Sequence, residues 1–304
     1  MTATHPVTPP ATWSAPPPPP RLAGQHLELA YDDRTIVQDL SIGIPTSKIT
    51  VIVGPNACGK STLLRALGRL LAPKQGSVLL DGDEIRSLPT REVAQKLGVL
   101  PQQPISPDGI AVTDLVARGR HPHQRWFRQW SKEDELAVEQ ALAATKTTAI
   151  ADRSVDELSG GQRQRVWIAM ALAQGTDLLL LDEPTTFLDL THQIDVLDLL
   201  CDLNREQHRT IVCVLHDLNL ACRYAHHLVA MRDGSIVAEG PPAEIVTQEL
   251  VQEVFDLDAR IITDPVSGTP LVVPIGRHHN SLLEAQQDEP PLPDLNHPLT
   301  EERP

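Results

Sequence analysis

The chain has 304 residues, 41% of them hydrophobic, and a formal net charge of −14 at pH 7. That length can bury a full core in one large or two small domains. The acidic balance argues against a nucleic-acid surface, which carries a basic patch, and the absence of a run of about eighteen apolar residues predicts no membrane span.

Residues 1–23 are rich in proline, with a run from Pro16 to Pro20. Such a segment favours extended, solvated backbone and lacks the apolar residues for a core, so a disordered tail is expected. No basic region followed by an apolar stretch occurs at the start, so no signal peptide is expected. The folded body is expected over residues 24–278. It opens with strand-like alternation at 26–31. Residues 48–53, Lys48-Ile49-Thr50-Val51-Ile52-Val53, form a largely β-branched run ending on Gly54. This is the pattern of a buried parallel strand. Next comes Gly54-Pro55-Asn56-Ala57-Cys58-Gly59-Lys60-Ser61, which matches the phosphate-loop pattern G-x-x-x-x-G-K-[ST]. Residues 61–71 follow, with Leu63, Leu64, Leu67, Leu70 and Leu71 at helical spacing. Strand, glycine loop and helix in that order are the context the motif requires.

Residues 76–80 and 97–100 read as further strands. Between Gln102 and Gly175 strand runs stop. Ser131 and Asp134 have the spacing of a capping box, and Leu136, Val138, Ala141 and Leu142 continue with helical periodicity. A helical subdomain is therefore expected at 103–175, closed by a helix that Ser159-Gly160-Gly161 opens. Residues 178–181 are all leucine and end in Asp182-Glu183; residues 210–215 form a β-branched strand ending in His216. Residues 229–231 and 236–238 flank Arg232-Asp233-Gly234-Ser235, a hairpin signal. Strands alternating with helices predict an α/β fold with a parallel sheet covered on both faces. Residues 279–304, with Asp288-Glu289-Pro290-Pro291 and Glu301-Glu302, are expected to form a second, acidic, solvated tail.

The chemistry follows from the loop. Its glycines let backbone amides approach phosphates, and the helix beginning near Lys60 points its positive end at them. Lys60 is expected on the β- and γ-phosphates and the Ser61 hydroxyl on Mg2+. Pro55, Asn56, Ala57, Cys58 and Thr62 belong to the same nucleotide-binding stretch. Cys58 is read as a tolerated side chain and not as a nucleophile, because the loop works through its backbone. A buried strand delivers Asp182 and Glu183 beside the loop. Asp182 is expected to hold Mg2+, and Glu183 to accept a proton from, or orient, the attacking water. Cys58, Cys201, Cys213 and Cys222 show no C-x-x-C spacing and read as reduced thiols of a cytosolic protein. The pairs His121/His123, His226/His227 and His278/His279 lack accompanying ligands at metal spacing, and no metal site is expected there.

Leu158-Ser159-Gly160-Gly161-Gln162 resembles the signature sequence of ABC ATPases. With the phosphate loop ahead of it, the chain resembles that family over nearly all of the body. The resemblance implies a P-loop NTPase fold with a RecA-like parallel-sheet core, an antiparallel β subdomain and an inserted helical subdomain. It implies ATP and Mg2+ as ligands. It also assigns roles. Tyr31 matches the aromatic that stacks on adenine. Gln102 matches the Q-loop glutamine that senses Mg2+ and the membrane partner, with adjacent Gln103 as the alternative. Asp189, in Phe187-Leu188-Asp189, matches the D-loop, and His216 the switch histidine on the γ-phosphate. Ser159, Gly160, Gly161 and Gln162 would meet the nucleotide held by the opposite subunit.

Within the family, several phrases resemble the ATPase subunits of bacterial ferric-siderophore importers, of the ferric enterobactin and ferric hydroxamate type. They are the loop continued through Thr62-Leu63-Leu64-Arg65, Leu100-Pro101-Gln102, Arg118-Gly119-Arg120-His121-Pro122, His216-Asp217-Leu218-Asn219 and Ala221-Cys222-Arg223-Tyr224-Ala225-His226. This implies an ATP-hydrolysing subunit, peripheral on the cytoplasmic face of the bacterial membrane. It would form a homodimer with two composite ATP sites. Its partners would be two integral membrane permease subunits and, through them, an extracytoplasmic siderophore-binding protein; nucleic acid is not among them. The alternatives are an importer ATPase for haem, cobalamin or another metal chelate, and a non-transport ABC ATPase of the iron–sulfur assembly type. Residues 118–130 gather Arg118, Arg120, Arg125 and Arg128 with Trp126, Phe127 and Trp130 in a chain only 3% aromatic. They read equally as a surface gripping a membrane subunit or as subdomain packing.

Overall fold

The structure, a computed structural model, describes residues 19–124, 130–186 and 188–276. In chain order its elements are β1 (Leu22–Tyr31), β2 (Arg34–Ile44), β3 (Ile49–Val53), α1 (Lys60–Leu67), β4 (Gln75–Leu80), β5 (Asp83–Glu84), α2 (Thr90–Lys96), β6 (Leu97–Leu100), α3 (Val112–Ala117), α4 (Lys132–Ala144), α5 (Gly160–Ala173), β7 (Leu178–Leu181), α6 (Leu190–Gln207), β8 (Thr210–Val214), α7 (Leu218–Tyr224), β9 (His227–Arg232), β10 (Ser235–Gly240), α8 (Pro242–Ile245), α9 (Gln248–Phe255), β11 (Ala259–Thr263) and β12 (Pro270–Pro274).

A short strand with at most one polar residue, and that one a threonine, has no face to offer water, so it is covered on both sides. β3, β7 and β8 are buried at every residue. They centre a six-stranded sheet ordered β10-β9-β3-β8-β7-β6. Five of its strands run parallel, and β10 returns antiparallel to β9. The return is the expected tight hairpin. Asp233 (φ 48°) and Gly234 (φ 79°) are both left-handed, as a two-residue type I′ turn requires. A Cβ on Gly234 would lie 2.0 Å from the Ile36 carbonyl oxygen.

A second sheet, β2-β1-β4-β5, is antiparallel throughout. Its Leu22, Leu27, Leu29, Val37 and Ile44 pack with Leu63, Leu64 and Leu67 of α1 in one apolar cluster. The cluster sits between the antiparallel sheet and one face of the parallel sheet. β1 takes in Leu22 and Ala23, which corrects the expected start of the body at residue 24. Leu22 is fully buried and pairs with both Ile44 and Leu80, so it cannot belong to a solvated tail. Residues 1–18 and 277–304, where the rest of the expected tails fall, lie outside the described residues. Helix α1 ends at Leu67, short of residue 71, because Gly68 closes it and Arg69 turns left-handed (φ 61°).

Among the described residues between β6 and β7 there is no strand; helices and turns fill the segment, with a single isolated antiparallel bridge between Ala111 and Ser154. α3, α4 and α5 share a core that includes Leu115, Val138, Leu142, Val166 and Trp167. Ser131 and Asp134 form a reciprocal capping box at the start of α4. Asp134 also accepts from Arg120 Nε at 2.8 Å, and Arg120 Nη1 donates to the Ala173 carbonyl at 2.8 Å. Arg120 is buried, and its role is to tie the turn Arg118–His123 to α4 and α5. Residues 125–129, the middle of the Arg- and Trp-rich stretch, lie outside the described residues. At the other end of the chain, Asn219 of α7 exchanges hydrogen bonds with the Val272 backbone of β12, and Arg223 pairs with Asp264 at 2.6 Å.

Candidate nucleotide site

The site lies where the central strands end. β3 leaves the sheet at Gly54, whose φ is 151°. A Cβ there would lie 2.2 Å from the Met231 carbonyl oxygen, so the sharp exit needs glycine. The loop then turns back through left-handed Ala57 (φ 62°) into Gly59 (φ 105°), which caps α1 without a side-chain hydrogen bond. The free amides at that helix start remain available to an anion. Lys60 is 5% exposed. Its Nζ donates to the carbonyls of Gly54 at 2.9 Å and Pro55 at 2.8 Å. The ammonium is thus held inside the curl of the loop, at the place a phosphate would claim.

β7 delivers the two carboxylates. The Asp182 amide still donates to the Leu100 carbonyl of β6, so the sheet positions this residue. Asp182 is 2% exposed. Its Oδ1 accepts from the Ser61 hydroxyl at 2.7 Å, while its Oδ2 is buried without a partner. Burial pushes the Asp182 carboxyl above the usual range; the Ser61 hydrogen bond pulls against burial, and the neighbouring Glu183 pushes with it. A hydroxyl and an orphaned carboxylate oxygen form an oxygen donor set that fits a hard divalent cation.

Glu183 sits at the turn after the strand, in a left-handed conformation (φ 54°). Such a conformation in a bulky residue persists only where the surroundings over-determine it. Here they do. Glu183 Oε1 lies 2.8 Å from His216 Nε2. Its Oε2 accepts from Gln102 Nε2 at 2.6 Å and from the Thr186 hydroxyl at 3.0 Å. Burial lifts the Glu183 carboxyl, but the bonds from His216, Thr186 and Gln102 outweigh it and hold the group below its ordinary range. It is Gln102, not its neighbour Gln103, that makes this contact.

One cavity of about 230 Å³ lies here, lined by Arg34, Ile36, Asn56, Ala57, Gly59, Lys60, Ser61, Thr62, Glu183 and His216; Asp182 adjoins it through Ser61, and Gln102 and Thr186 through Glu183. The structure therefore brings the phosphate loop, the two carboxylates, Gln102 and His216 together. It does not bring the signature to them. Ser159 instead caps α5, accepting from the Gln162 amide at 3.3 Å while Gln162 Oε1 accepts from the Ser159 amide at 3.2 Å. Gly160 and Gly161 form the first turn of that helix. Asp189 caps α6, and its two bonds from His192 hold its carboxyl below the usual range. None of these lines the cavity. Tyr31 lies outside it too; it is 41% exposed, and its hydroxyl accepts from Arg65 Nη1 at 3.1 Å. Cys58 is buried, and burial raises its thiol, which disfavours the thiolate.

Three contributors lay outside the sequence reading, and two of them, Arg34 and Ile36, carried no signal in the pattern. Arg34 and Ile36 come from β2, which pairs across a turn from β1 and reaches over the loop. Thr186 had one available cue: it stands three residues after Glu183, within reach of a turn's side-chain bond.

A glycine loop between a central parallel strand and a helix, facing paired carboxylates from a second strand of the same sheet, defines a P-loop nucleoside-triphosphate hydrolase. The family model for the ABC transporter matches residues 37–186. The probable siderophore transport system ATP-binding protein YusV of Bacillus subtilis (strain 168) is 58% identical over 264 residues, 87% of this chain and 96% of that one. The ferric enterobactin transport ATP-binding protein FepC of Escherichia coli (strain K12) is 57% identical over 257 residues, 84% of this chain and 95% of that one. Among solved structures, the dimeric bacterial ABC transporter cassette MJ0796 superposes with a TM-score of 0.66 at 27% identity, over 72% of this chain and 98% of that one. Its dimer in a post-hydrolysis state bound to ADP and Pi gives 0.65, at the same identity and coverage. The chain belongs to the ABC transporter family, as an ATP-binding protein that hydrolyses ATP.

Proposed function

We propose that this chain powers the uptake of a ferric siderophore through partner permeases, and that its residues divide the work as follows. The observation that carries the catalytic part is the threefold hold on Glu183. A carboxylate kept ionised by His216, Gln102 and Thr186, at the mouth of the phosphate-loop cavity, is poised to take a proton from an attacking water. Lys60 exchanges its two loop carbonyls for the β- and γ-phosphate oxygens of ATP. The amides of residues 54–62 cradle the same phosphates, and Tyr31 stacks on the adenine. Ser61 and Asp182 would hold Mg2+, with Gln102 nearby, and the bound cation would neutralise charge on the phosphates. His216 and Gln102 keep Glu183 aimed, and each can shift to the γ-phosphate or the cation when ATP enters.

The signature residues have no nucleotide of their own in this arrangement. A helix start with small residues is an anion site, and Ser159, Gly160, Gly161 and Gln162, with Asp189, serve the ATP held by a second copy. The dimeric cassettes that this chain resembles support that pairing. ATP drives closure because only the closed dimer offers both the loop and the signature, and a ligand shifts an equilibrium only by binding one state better.

Among the described residues no helix is long and apolar enough to cross a membrane. Two integral membrane permeases would supply that path, with an extracytoplasmic siderophore-binding protein delivering cargo to them. The chain would then sit peripherally on the cytoplasmic face. The siderophore cargo rests on the relatives' named activities. Uptake of labelled ferric siderophore in cells with and without a working copy tests it. The reading expects uptake to fall with the deleted or Glu183→Gln copy. Unchanged siderophore uptake with lost haem or cobalamin uptake would move the cargo to those chelates.

A further inference from the structure

His192 joins two motifs that stand far apart in the sequence. It lies in the first turn of α6, and its backbone amide donates to Asp189 Oδ1 at 2.9 Å. Its ring also bonds the same oxygen, through Nδ1 at 2.6 Å. One carboxylate oxygen thus fixes both the helix start and the ring. The other side of the ring lies on α5. A Cβ built on Gly161 would meet His192 Cδ2 at 2.9 Å, Cγ at 3.0 Å and Nε2 at 3.4 Å. The first distance is closer than carbon atoms tolerate and the second is tight, so a side chain at 161 would have to push aside a ring that Asp189 holds in place. The side chain is only 33% exposed.

We propose that His192 is a positioning residue that keys the signature turn to the D-loop turn, so that Ser159–Gly161 and Asp189 meet a partner's nucleotide as one unit. This rests on the reading above that both turns face the ATP of a second subunit. It also gives Gly161 a reason of its own. The residue lacks a Cβ because the imidazole occupies that place, and not only because a phosphate must come close. A smaller residue at 192 frees the space, and a larger one at 161 displaces the ring and the carboxylate it holds.

The test is a double-mutant cycle on the purified full chain, read as ATP turnover and as affinity for a fluorescent ATP analogue. Gly161→Ala alone should lower kcat by about tenfold or more, the size expected of directly coupled neighbours. Gly161→Ala combined with His192→Ala should turn over faster than Gly161→Ala alone, because the clash is gone. His192→Ala alone should lower kcat while leaving analogue affinity and Tm unchanged, since the phosphate loop is untouched; a merely structural role would move Tm instead. The proposal is overturned if the double variant is no faster than Gly161→Ala, or if His192→Ala turns over as the wild type does. Glu183→Gln run beside them separates the two readings. If Glu183→Gln is arrested and the cycle shows no coupling, only the His192 assignment fails; if Glu183→Gln turns over normally, the parent reading fails.

Discussion

Asp182→Asn should make the nucleotide-free protein more stable while destroying its response to Mg·ATP. Asp182 is 2% exposed, and its Oδ2 has no hydrogen-bond partner. An unpaired buried acceptor costs about 1–3 kcal/mol, more when it is charged. The Ser61 hydroxyl satisfies only the other oxygen, and Glu183 beside it adds repulsion. An amide keeps the bond from Ser61 and loses the charge. It leaves its own nitrogen unpaired, so the net gain is the difference between burying an ion and burying a dipole, on the order of 1 kcal/mol. For a chain of this size that is a rise in Tm of about 2–4 °C. The assay is a thermal melt in chelator, then with Mg2+ and ATP. Wild type should gain Tm with Mg·ATP by ligand linkage, and Asp182→Asn should lose most of that gain. A variant that melts below wild type in chelator would refute the reasoning that the carboxylate is strained without its cation. A full Mg·ATP shift in the variant would remove Asp182 from the site.

Three further outcomes follow from the same geometry. Lys60→Ala removes an ammonium whose charge-assisted bonds are worth about 1.5–3 kcal/mol, so affinity for a fluorescent ATP analogue should fall about 10- to 100-fold; unchanged affinity would contradict the phosphate assignment. Glu183→Gln should keep ATP affinity but lower turnover by about 10²–10⁴, and should accumulate an ATP-bound dimer on a sizing column; near-normal turnover would show that another group takes the proton. Arg120→Met leaves Asp134 buried and unpaired, which should cost about 3–5 kcal/mol in urea unfolding; a loss under about 1 kcal/mol would show the pair is not structural. Burial lifts the Asp134 carboxyl, but Arg120 and Ser131 outweigh it and hold it below its ordinary range. A depressed carboxylate stabilises above its unfolded value and loses that contribution as pH falls through the folded one, so wild type should lose more stability on acidification than Arg120→Met does.

The parts of the fold legible in the sequence were those with nearly uninterrupted apolar runs. β7 is all leucine, and β3, β6 and β8 come close, broken only by Thr50, Gly98 and the leading Thr210, because the sheet is covered on both faces. β2 carried no such pattern. It lies in the antiparallel sheet, its alternation is interrupted by bulges against β1, and Asp39 turns left-handed within it. Register shifts of that kind erase the period-two signal. α6 escaped for another reason. Its buried Val196, Leu197, Leu200, Leu203 and Asn204 and its partly buried Ile194, Leu199 and Cys201 are interleaved with Asp195, Asp198 and Asp202, and Leu190 at its start is exposed, so no clean apolar stripe stands out in the sequence. In the site, the loop and the Asp182-Glu183 pair could be read from spacing because local backbone geometry makes them work. The placement of Arg34 over the loop and of His192 against Gly161 could not, because both depend on which elements meet in three dimensions.

The central claim is that each ATP is held by the loop of one subunit and the signature of another, and subunit mixing tests it most directly. Chains carrying Lys60→Ala and chains carrying Ser159→Arg should each be inactive alone. A mixed pair keeps one intact pocket, built from the unaltered loop of one chain and the unaltered signature of the other. With random pairing, half the dimers are mixed and each has one of two sites, so the mixture should recover about a quarter of the wild-type rate. A mixture as silent as its components would mean that loop and signature act within the same chain.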